Sequence, residues 1–145
     1  MIWKCKQFKE LTSMELYLIL QLRNEVFVVE QNCVFQDADG KDPYCRHLMG
    51  FLGDSLAAYT RIVPPGVSYP EASIGRVVTS PKERKNGFGK SLMEKSIEMV
   101  YLYHGKVPIR IGAQYYLKKF YEFLGFQQTS GIYLEDGIEH IEMTL

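Results

Sequence analysis

The sequence predicts an α+β fold, a mixed α/β domain with flanking helices on a mixed, mostly antiparallel central sheet. Short turn signals such as Gly53-Asp54 and Glu135-Asp136-Gly137 join strand-like runs and are typical of antiparallel hairpins. The strand from Ile74 is instead followed by a long helical pattern and another strand. This order indicates a βαβ crossover with a parallel core. The predicted order is therefore β, α, three β, α, β, α, two β.

The composition is that of an ordinary globular domain. Its 145 residues, 46% hydrophobic and 23% charged, suit a single domain over 1–145. Because 17 basic and 17 acidic residues cancel, we expect neither nucleic acid nor a membrane as partner. No apolar run has the length of a membrane span, and the N-terminal residues contain no signal-peptide core. Three cysteines without a C-x-x-C pair favour reduced thiols in a cytoplasm. A homodimer is possible, because the sequence does not determine the oligomeric state.

The N-terminal part is predicted to hold an edge strand and a helix. The strand covers residues 2–8, and Thr12 opens a capping box that starts a helix running to about Val29. Arg23 lies on the otherwise apolar face of this helix and shares a stripe with Glu30 if the helix continues that far. We interpret Arg23 either as half of a structural ion pair or as part of a functional cleft.

A turn-rich acidic segment follows between Val34 and His47. Asp37-x-Asp39-Gly40 resembles the start of a calcium loop, but its glycine comes two positions early and the twelfth position has no carboxylate. Cys45-Arg46-His47 has no second half that would complete a zinc site. No metal site is therefore predicted. The acidic loop is either solvated surface or a mouth that attracts a cationic substrate.

Strands and helices alternate over the rest of the chain. The predicted elements are strands at His47–Leu52, Ser55–Val63 and from Ile74, a helix at about Phe88–His104, a strand at Val107–Gly112, a helix at Tyr115–Phe123 closed by Gly125, and strands at Phe126–Leu134 and Glu139–Leu145.

The most informative stretch joins the Ile74 strand to the next helix. Ser80-Pro81 ends the strand, and a basic turn carrying Gly87-Phe88-Gly89 leads into the helix. Free backbone N–H groups at a positive helix N-terminus are a ready site for a phosphate or pyrophosphate. The spacing excludes a P-loop, because Arg84 stands where its first glycine belongs, and a dinucleotide fingerprint, because Leu92 replaces the third glycine.

Three sets of residues resemble the GNAT acetyltransferase superfamily. Arg84-x-x-Gly87-x-Gly89 resembles its R/Q-x-x-G-x-G/A signature, and Gln114-x-x-Leu117-x-x-Phe120-Tyr121-x-x-x-Gly125-Phe126 resembles its second signature. The stretch from Leu22-Arg23 through Val26 to Glu30-Gln31-Asn32-Cys33 is similar to the ElaA-type branch. Further support comes from Arg76-Val77-Val78, Gly112-Ala113-Gln114 and Glu135-Asp136-Gly137-Ile138-x-His140-Ile141. The resemblance spans nearly the full chain and implies a GNAT-like fold.

The resemblance also implies an activity, the transfer of an acetyl group from acetyl-CoA to a primary amine in a ternary complex. The backbone of Val77, Val78 and Thr79 would pair with the pantetheine amides like another strand. Gln114 stands where the family often has asparagine, so the amide is kept and only its reach changes. The pyrophosphate would lie on a loop made of Arg84, Lys85, Asn86, Gly87, Phe88, Gly89 and Lys90.

Tyr121 matches the family tyrosine that acts as general acid near the sulfur. A phenol suits this task because its ordinary pKa near 10 is close to that of a leaving thiol. The competing interpretation is a core aromatic residue beside Phe120.

The acceptor amine must lose a proton, which costs about 4–5 kcal/mol at pH 7 for an alkyl amine of pKa about 10.4. Some family members use a glutamate on the central strand, but Ile74–Thr79 contains no acid. Glu30, His47 and His140 are the candidate bases, directly or through water.

The acceptor is predicted to be a small-molecule or peptide amine. In a GNAT fold the first long helix lines the acceptor side, so Arg23 and Glu30 are the predicted substrate contacts. The alternative function is a non-catalytic module that binds acyl-CoA as a sensor or partner subunit. The missing strand carboxylate keeps that alternative open.

Overall fold

The chain forms eight strands and three helices, in a computed structural model that describes residues 1–145. The strands are β1 Ile2–Gln7, β2 Arg46–Leu52, β3 Ser55–Val63, β4 Ser73–Thr79, β5 Arg110–Gln114, β6 Gln127–Gln128, β7 Tyr133–Glu135 and β8 Ile138–Thr144, and the helices are α1 Ser13–Arg23, α2 Phe88–His104 and α3 Lys118–Phe123. None of these helices combines the length and the apolar character needed to cross a membrane.

The first sheet is antiparallel, in the order β1-β2-β3-β4. Its two faces belong to different core clusters, because adjacent residues of a strand point to opposite faces. Leu48 of β2 packs in the cluster that contains Leu92 and Met93 of α2, whereas Met49 packs with Ile19 and other residues of α1. The sheet is thus covered by α2 on one face and by α1 on the other.

The second sheet is built around β8, which pairs antiparallel with β5, β6 and β7. The final hairpin across Asp136-Gly137 is confirmed, but the strand predicted at Phe126–Leu134 is interrupted. The Ser130 hydroxyl accepts the Glu142 backbone N–H at 2.8 Å. This side-chain oxygen takes the place of a ladder carbonyl, so β6 and β7 are separate strands.

The crossover β4–α2–β5 joins the two sheets. Its parallel pairing consists of one bridge between Ala72 and Ile109, beside which the Arg110 N–H donates to the Ala72 carbonyl at 2.9 Å. β5 begins three residues later than predicted, because the Val107 N–H bonds the Gly105 carbonyl and Pro108 has no N–H to give. Beyond the bridge β4 and β5 do not pair, which leaves a cleft between the sheets.

Helix α1 begins as predicted. The Thr12 hydroxyl accepts the Glu15 N–H at 3.1 Å, while the Glu15 carboxylate accepts the Thr12 N–H at 2.9 Å. It ends earlier than predicted, at Arg23, and the chain continues as a π-helical segment, Asn24–Glu30. The wider π turn changes which residues share a face, so the stripe that would align Arg23 with Glu30 does not form.

Candidate active site

The cleft between β4 and β5 contains a cavity of about 440 Å³, which we term the main cavity. It is bounded by the ends of both strands, the loop before α2 and the start of α3. Nine residues singled out from the sequence line it: Glu30, Val77, Val78, Thr79, Arg84, Gly89, Gln114, Tyr121 and His140. Seven others do not line it: Arg23, His47, Lys85, Asn86, Gly87, Phe88 and Lys90.

The loop before α2, residues 80–87, leads into a helix N-terminus that no side chain caps. No side chain bonds the first N–H groups of α2, and Gly87 at its start has a φ of +70°, the left-handed region that favours glycine. At Gly89 an added Cβ would lie 3.8 Å from Phe120, an ordinary contact. Free amides at a helix N-terminus fit an anion, so this end of the cavity suits a pyrophosphate.

Tyr121 lies at the inner part of the main cavity and is 5% exposed. Its ring makes edge contacts with Phe120 and Phe126, at centroid distances of 5.1 and 5.9 Å. Burial, and then the neighbouring Tyr116, raise the pKa of the Tyr121 phenol above its ordinary value. The phenol therefore keeps its proton at neutral pH and can act as a donor.

His140 reaches the same cavity from β8. Its Nδ1 is 2.8 Å from the Ile138 carbonyl oxygen, and because a carbonyl only accepts, Nδ1 carries the hydrogen. The Nε2 atom then has a free lone pair, 3.4 Å from a Glu135 carboxylate oxygen. The ring stacks on Tyr133. Nε2 is thus the ring atom that can accept a proton, and the Glu135 carboxylate lies beside it.

Glu30 and Gln31 connect the π-helical segment to both walls of the cavity. The Arg84 Nη1 donates to Glu30 Oε2 at 2.9 Å, and Nη2 makes a second contact with Oε1. These hydrogen bonds raise the pKa of Arg84 above its usual value. The Gln114 amide donates to Gln31 Oε1 at 3.2 Å. Glu30 is therefore paired with the loop before α2 and not with Arg23.

Arg23 is fully buried and has a structural role. Its Nε donates to Asp37 Oδ2 at 2.8 Å, Nη1 to Asp42 Oδ1 at 2.8 Å, and Nη2 to the Asp37 carbonyl at 3.1 Å. This placement corrects the expectation that Arg23 contacts the acceptor, since its guanidinium is enclosed and lies outside the main cavity. His47, another candidate base, is 1% exposed and bonds Tyr59 and the Asp42 carbonyl. Burial lowers its pKa.

The acidic loop is neutralised rather than solvated. Arg61 bonds Asp39 at 2.6 Å and Asp42 at 3.0 Å, and Arg76 lies 2.8 Å from Asp37. Three arginines, Arg23 included, thus balance the charges of three aspartates. Both predictions for this loop, a solvated surface and a mouth that attracts a cationic substrate, are therefore wrong. Burial alone would raise the pKa of Asp42, but the bonds and charges of the arginines outweigh it and hold that pKa below its usual value.

Sequence reasoning missed Arg61 and Arg76 as partners of these aspartates. The signal available was an arginine inside each of two apolar strands, β3 and β4. Arg76 has a φ of +51°, a left-handed conformation uncommon outside glycine, at a point where the β3–β4 register shifts. No group of three or more His, Cys, Asp and Glu side chains is arranged to hold a metal ion.

Comparisons with known proteins identify a matching family and similar sequences. The family described as "Acetyltransferase (GNAT) domain" matches residues 51–145. The chain is 41% identical to protein ElaA of Escherichia coli K12, over 97% of this chain and 94% of ElaA.

Two solved structures have a similar level of sequence identity, and a third shares only the fold. A Pseudomonas aeruginosa acyl-CoA N-acyltransferase matches with a TM-score of 0.94 and 40% identity, covering 99% of both chains. Escherichia coli ElaA matches with a TM-score of 0.91 and 40% identity, also over 99% of both chains. An aminoglycoside 6'-N-acetyltransferase complexed with coenzyme A, 16% identical over 100% of this chain and 96% of its own, shares the fold with a TM-score of 0.72.

Proposed function

The chain belongs to the GNAT acetyltransferase family as an ElaA-like acyltransferase, and from that premise we propose that it moves an acetyl group from acetyl-CoA directly to a primary amine. The acceptor is a small-molecule or peptide amine, and the place of action is the cytoplasm, in keeping with three free thiols. An acyl-CoA cosubstrate is in keeping with the coenzyme A complex of a protein of the same fold.

The cleft between β4 and β5 carries this proposal. The two strands stop pairing after the Ala72–Ile109 bridge, so the cavity-facing edge of β4 at Val77, Val78 and Thr79 is open to another hydrogen-bonding chain. The pantetheine arm, with two amides, is such a chain. The uncapped start of α2 lies at one end of the same cavity and suits the pyrophosphate.

Two side chains divide the proton transfers. The amine nitrogen attacks the thioester carbonyl, the new N–C bond forms and the C–S bond breaks. His140 Nε2, with its lone pair free, accepts the proton that the amine loses. Tyr121, kept neutral by burial, protonates the leaving thiolate. Glu30 is a second candidate base, paired with Arg84 in the structure.

Release of free thiol from acetyl-CoA across a panel of primary amines would test this function. We expect acetyl-CoA to bind in calorimetry where ATP does not, and at least one amine to increase thiol release well above the rate with buffer alone. Binding of acetyl-CoA with no thiol release for any amine would instead indicate a non-catalytic module. No binding at all would contradict both functions.

A further inference from the structure

A second cavity, of about 400 Å³, adjoins the main cavity and continues away from the acyl-CoA end. The two share lining residues, among them Gly75 and Gly112, which have no side chains to separate them. At Gly112 the hydroxyls of Tyr69 and Tyr133 each lie 3.1 Å from where a Cβ would stand. An acceptor in this second cavity would therefore reach the main cavity over a glycine surface rimmed by two phenols.

Most charges around the second cavity are already paired. Arg61 and Arg76 line it, but both are bound by Asp37, Asp39 and Asp42 in the balanced network described above. Asp39 is engaged as well, since both of its oxygens accept bonds from Arg61. These groups shape the wall and contribute little net charge to a ligand.

The remaining charges form two opposite poles. Lys41 lines only the second cavity, and its backbone N–H, not its ammonium, is the group bonded to Asp39. Glu135 and Asp136 line both cavities and so stand where the two meet. Glu135 is also the carboxylate beside His140. The negative pole is thus near the proposed base, and the positive pole lies in the second cavity, away from its junction with the main cavity.

We infer that the acceptor is a zwitterionic amine, an amino acid or a compound with a similarly placed carboxylate. This inference rests on the proposed function. Glu135 and Asp136 attract its ammonium to the junction with the main cavity, where His140 can take the proton. Lys41 binds its carboxylate within the second cavity, away from the junction. Two poles fix the direction in which the acceptor enters, which neither charge would do alone.

Matched acceptors would test the inference. The probes are free L-amino acids and their C-terminal amides, assayed by thiol release from acetyl-CoA with wild type, Lys41→Met and the control Lys106→Met, an exposed lysine that lines neither cavity. We expect kcat/KM to be at least about tenfold higher for the best amino acid than for its amide. Lys41→Met should remove that preference by raising KM for the amino acid, whereas Lys106→Met should keep it.

A second variant addresses the negative pole. Asp136 has a φ of +52°, which asparagine tolerates, so Asp136→Asn removes the charge without straining the turn. We expect KM to rise severalfold for the amino acid and its amide alike, since both carry the ammonium. Equal kcat/KM for acids and amides, or turnover of other primary amines but of neither probe, would overturn this inference alone. If the wild-type protein does not bind acetyl-CoA, both the proposed function and this inference are overturned.

Discussion

Arg84 and Glu30 form a two-contact ion pair across the mouth of the main cavity, although 54 residues separate them in the chain. Both side chains are about two-fifths exposed, at 43% and 41%. Such exposed pairs contribute about 0.2–1 kcal/mol, so a pyrophosphate could replace Glu30 as the partner of Arg84. Binding of acetyl-CoA would then release the Glu30 carboxylate toward the acceptor.

Glu30→Gln tests this exchange. We expect kcat/KM for the acceptor to fall about tenfold or more with the melting temperature nearly unchanged. Affinity for acetyl-CoA should rise by no more than about fivefold, because Arg84 loses a weak competitor. Steady-state kinetics, calorimetry and thermal melting measure the three quantities. A lowered melting temperature with intact kinetics would make Glu30 only a structural partner of Arg84.

Tyr121→Phe should lower kcat about a hundredfold while affinity for acetyl-CoA is kept, because the hydroxyl is needed only as the thiolate leaves. Burial raises the pKa of the phenol, so in wild type the rate should not decline with rising pH through loss of this proton near neutrality. Single-turnover rates at saturating acetyl-CoA provide the measurement. An unchanged rate would show that the thiolate leaves without this donor.

His140→Gln should lower kcat about a hundredfold, because the glutamine amide cannot accept the proton that the amine loses. Glu139→Gln, a change at an exposed neighbour on β8, is the control and should keep the wild-type kcat. Steady-state kinetics on both variants at saturating acetyl-CoA provide the measurement. An unchanged kcat in His140→Gln would assign the proton transfer to another group.

Gly89→Val and Gly87→Val separate binding from folding in the loop before α2. At Gly89 the nearest atom to an added Cβ is 3.8 Å away, so the fold should tolerate valine while affinity for acetyl-CoA falls severely. At Gly87 the left-handed φ of +70° makes valine cost about 1–3 kcal/mol in stability. Calorimetry and thermal melting on both variants distinguish these effects. Equal acetyl-CoA affinity in wild type and Gly89→Val would remove the loop from the site.

The buried network in which Arg23, Arg61 and Arg76 bind Asp37, Asp39 and Asp42 predicts instability in acid. The pKa values of Asp39 and Asp42 are held below the usual 3.8 in the folded protein. Their stabilisation is therefore fully present above about pH 4 and is lost as the pH falls below that value. Urea unfolding at a series of pH values measures it. Arg23→Met should lower the free energy of unfolding by about 3–5 kcal/mol at pH 7. An equally steep decline in acid for this variant would contradict the assignment.

Local patterns in the sequence predicted much of the fold. Thr12 and Glu15 form the capping box that starts α1, and α2 has the bounds expected from its apolar periodicity, Phe88–His104. A capping box and an apolar periodicity both depend on residues that are close together in the sequence. The pairing of Arg23 with Asp42, or of Arg84 with Glu30, depends on how distant segments pack, which spacing along the chain does not encode. For the same reason the broken strand at Ser130 was not predicted, since its cause is a hydroxyl bonded across to β8.

The single parallel bridge between Ala72 and Ile109 bears on the order in which the molecule is assembled during synthesis. Each sheet is made from a contiguous part of the chain, residues 2–79 for the first and 110–144 for the second. A chain emerging from the ribosome can therefore complete the first sheet before any of the second has emerged. The cleft comes into existence only when the two halves meet, so a cosubstrate that lies in it binds only finished molecules and shifts the folding equilibrium toward them.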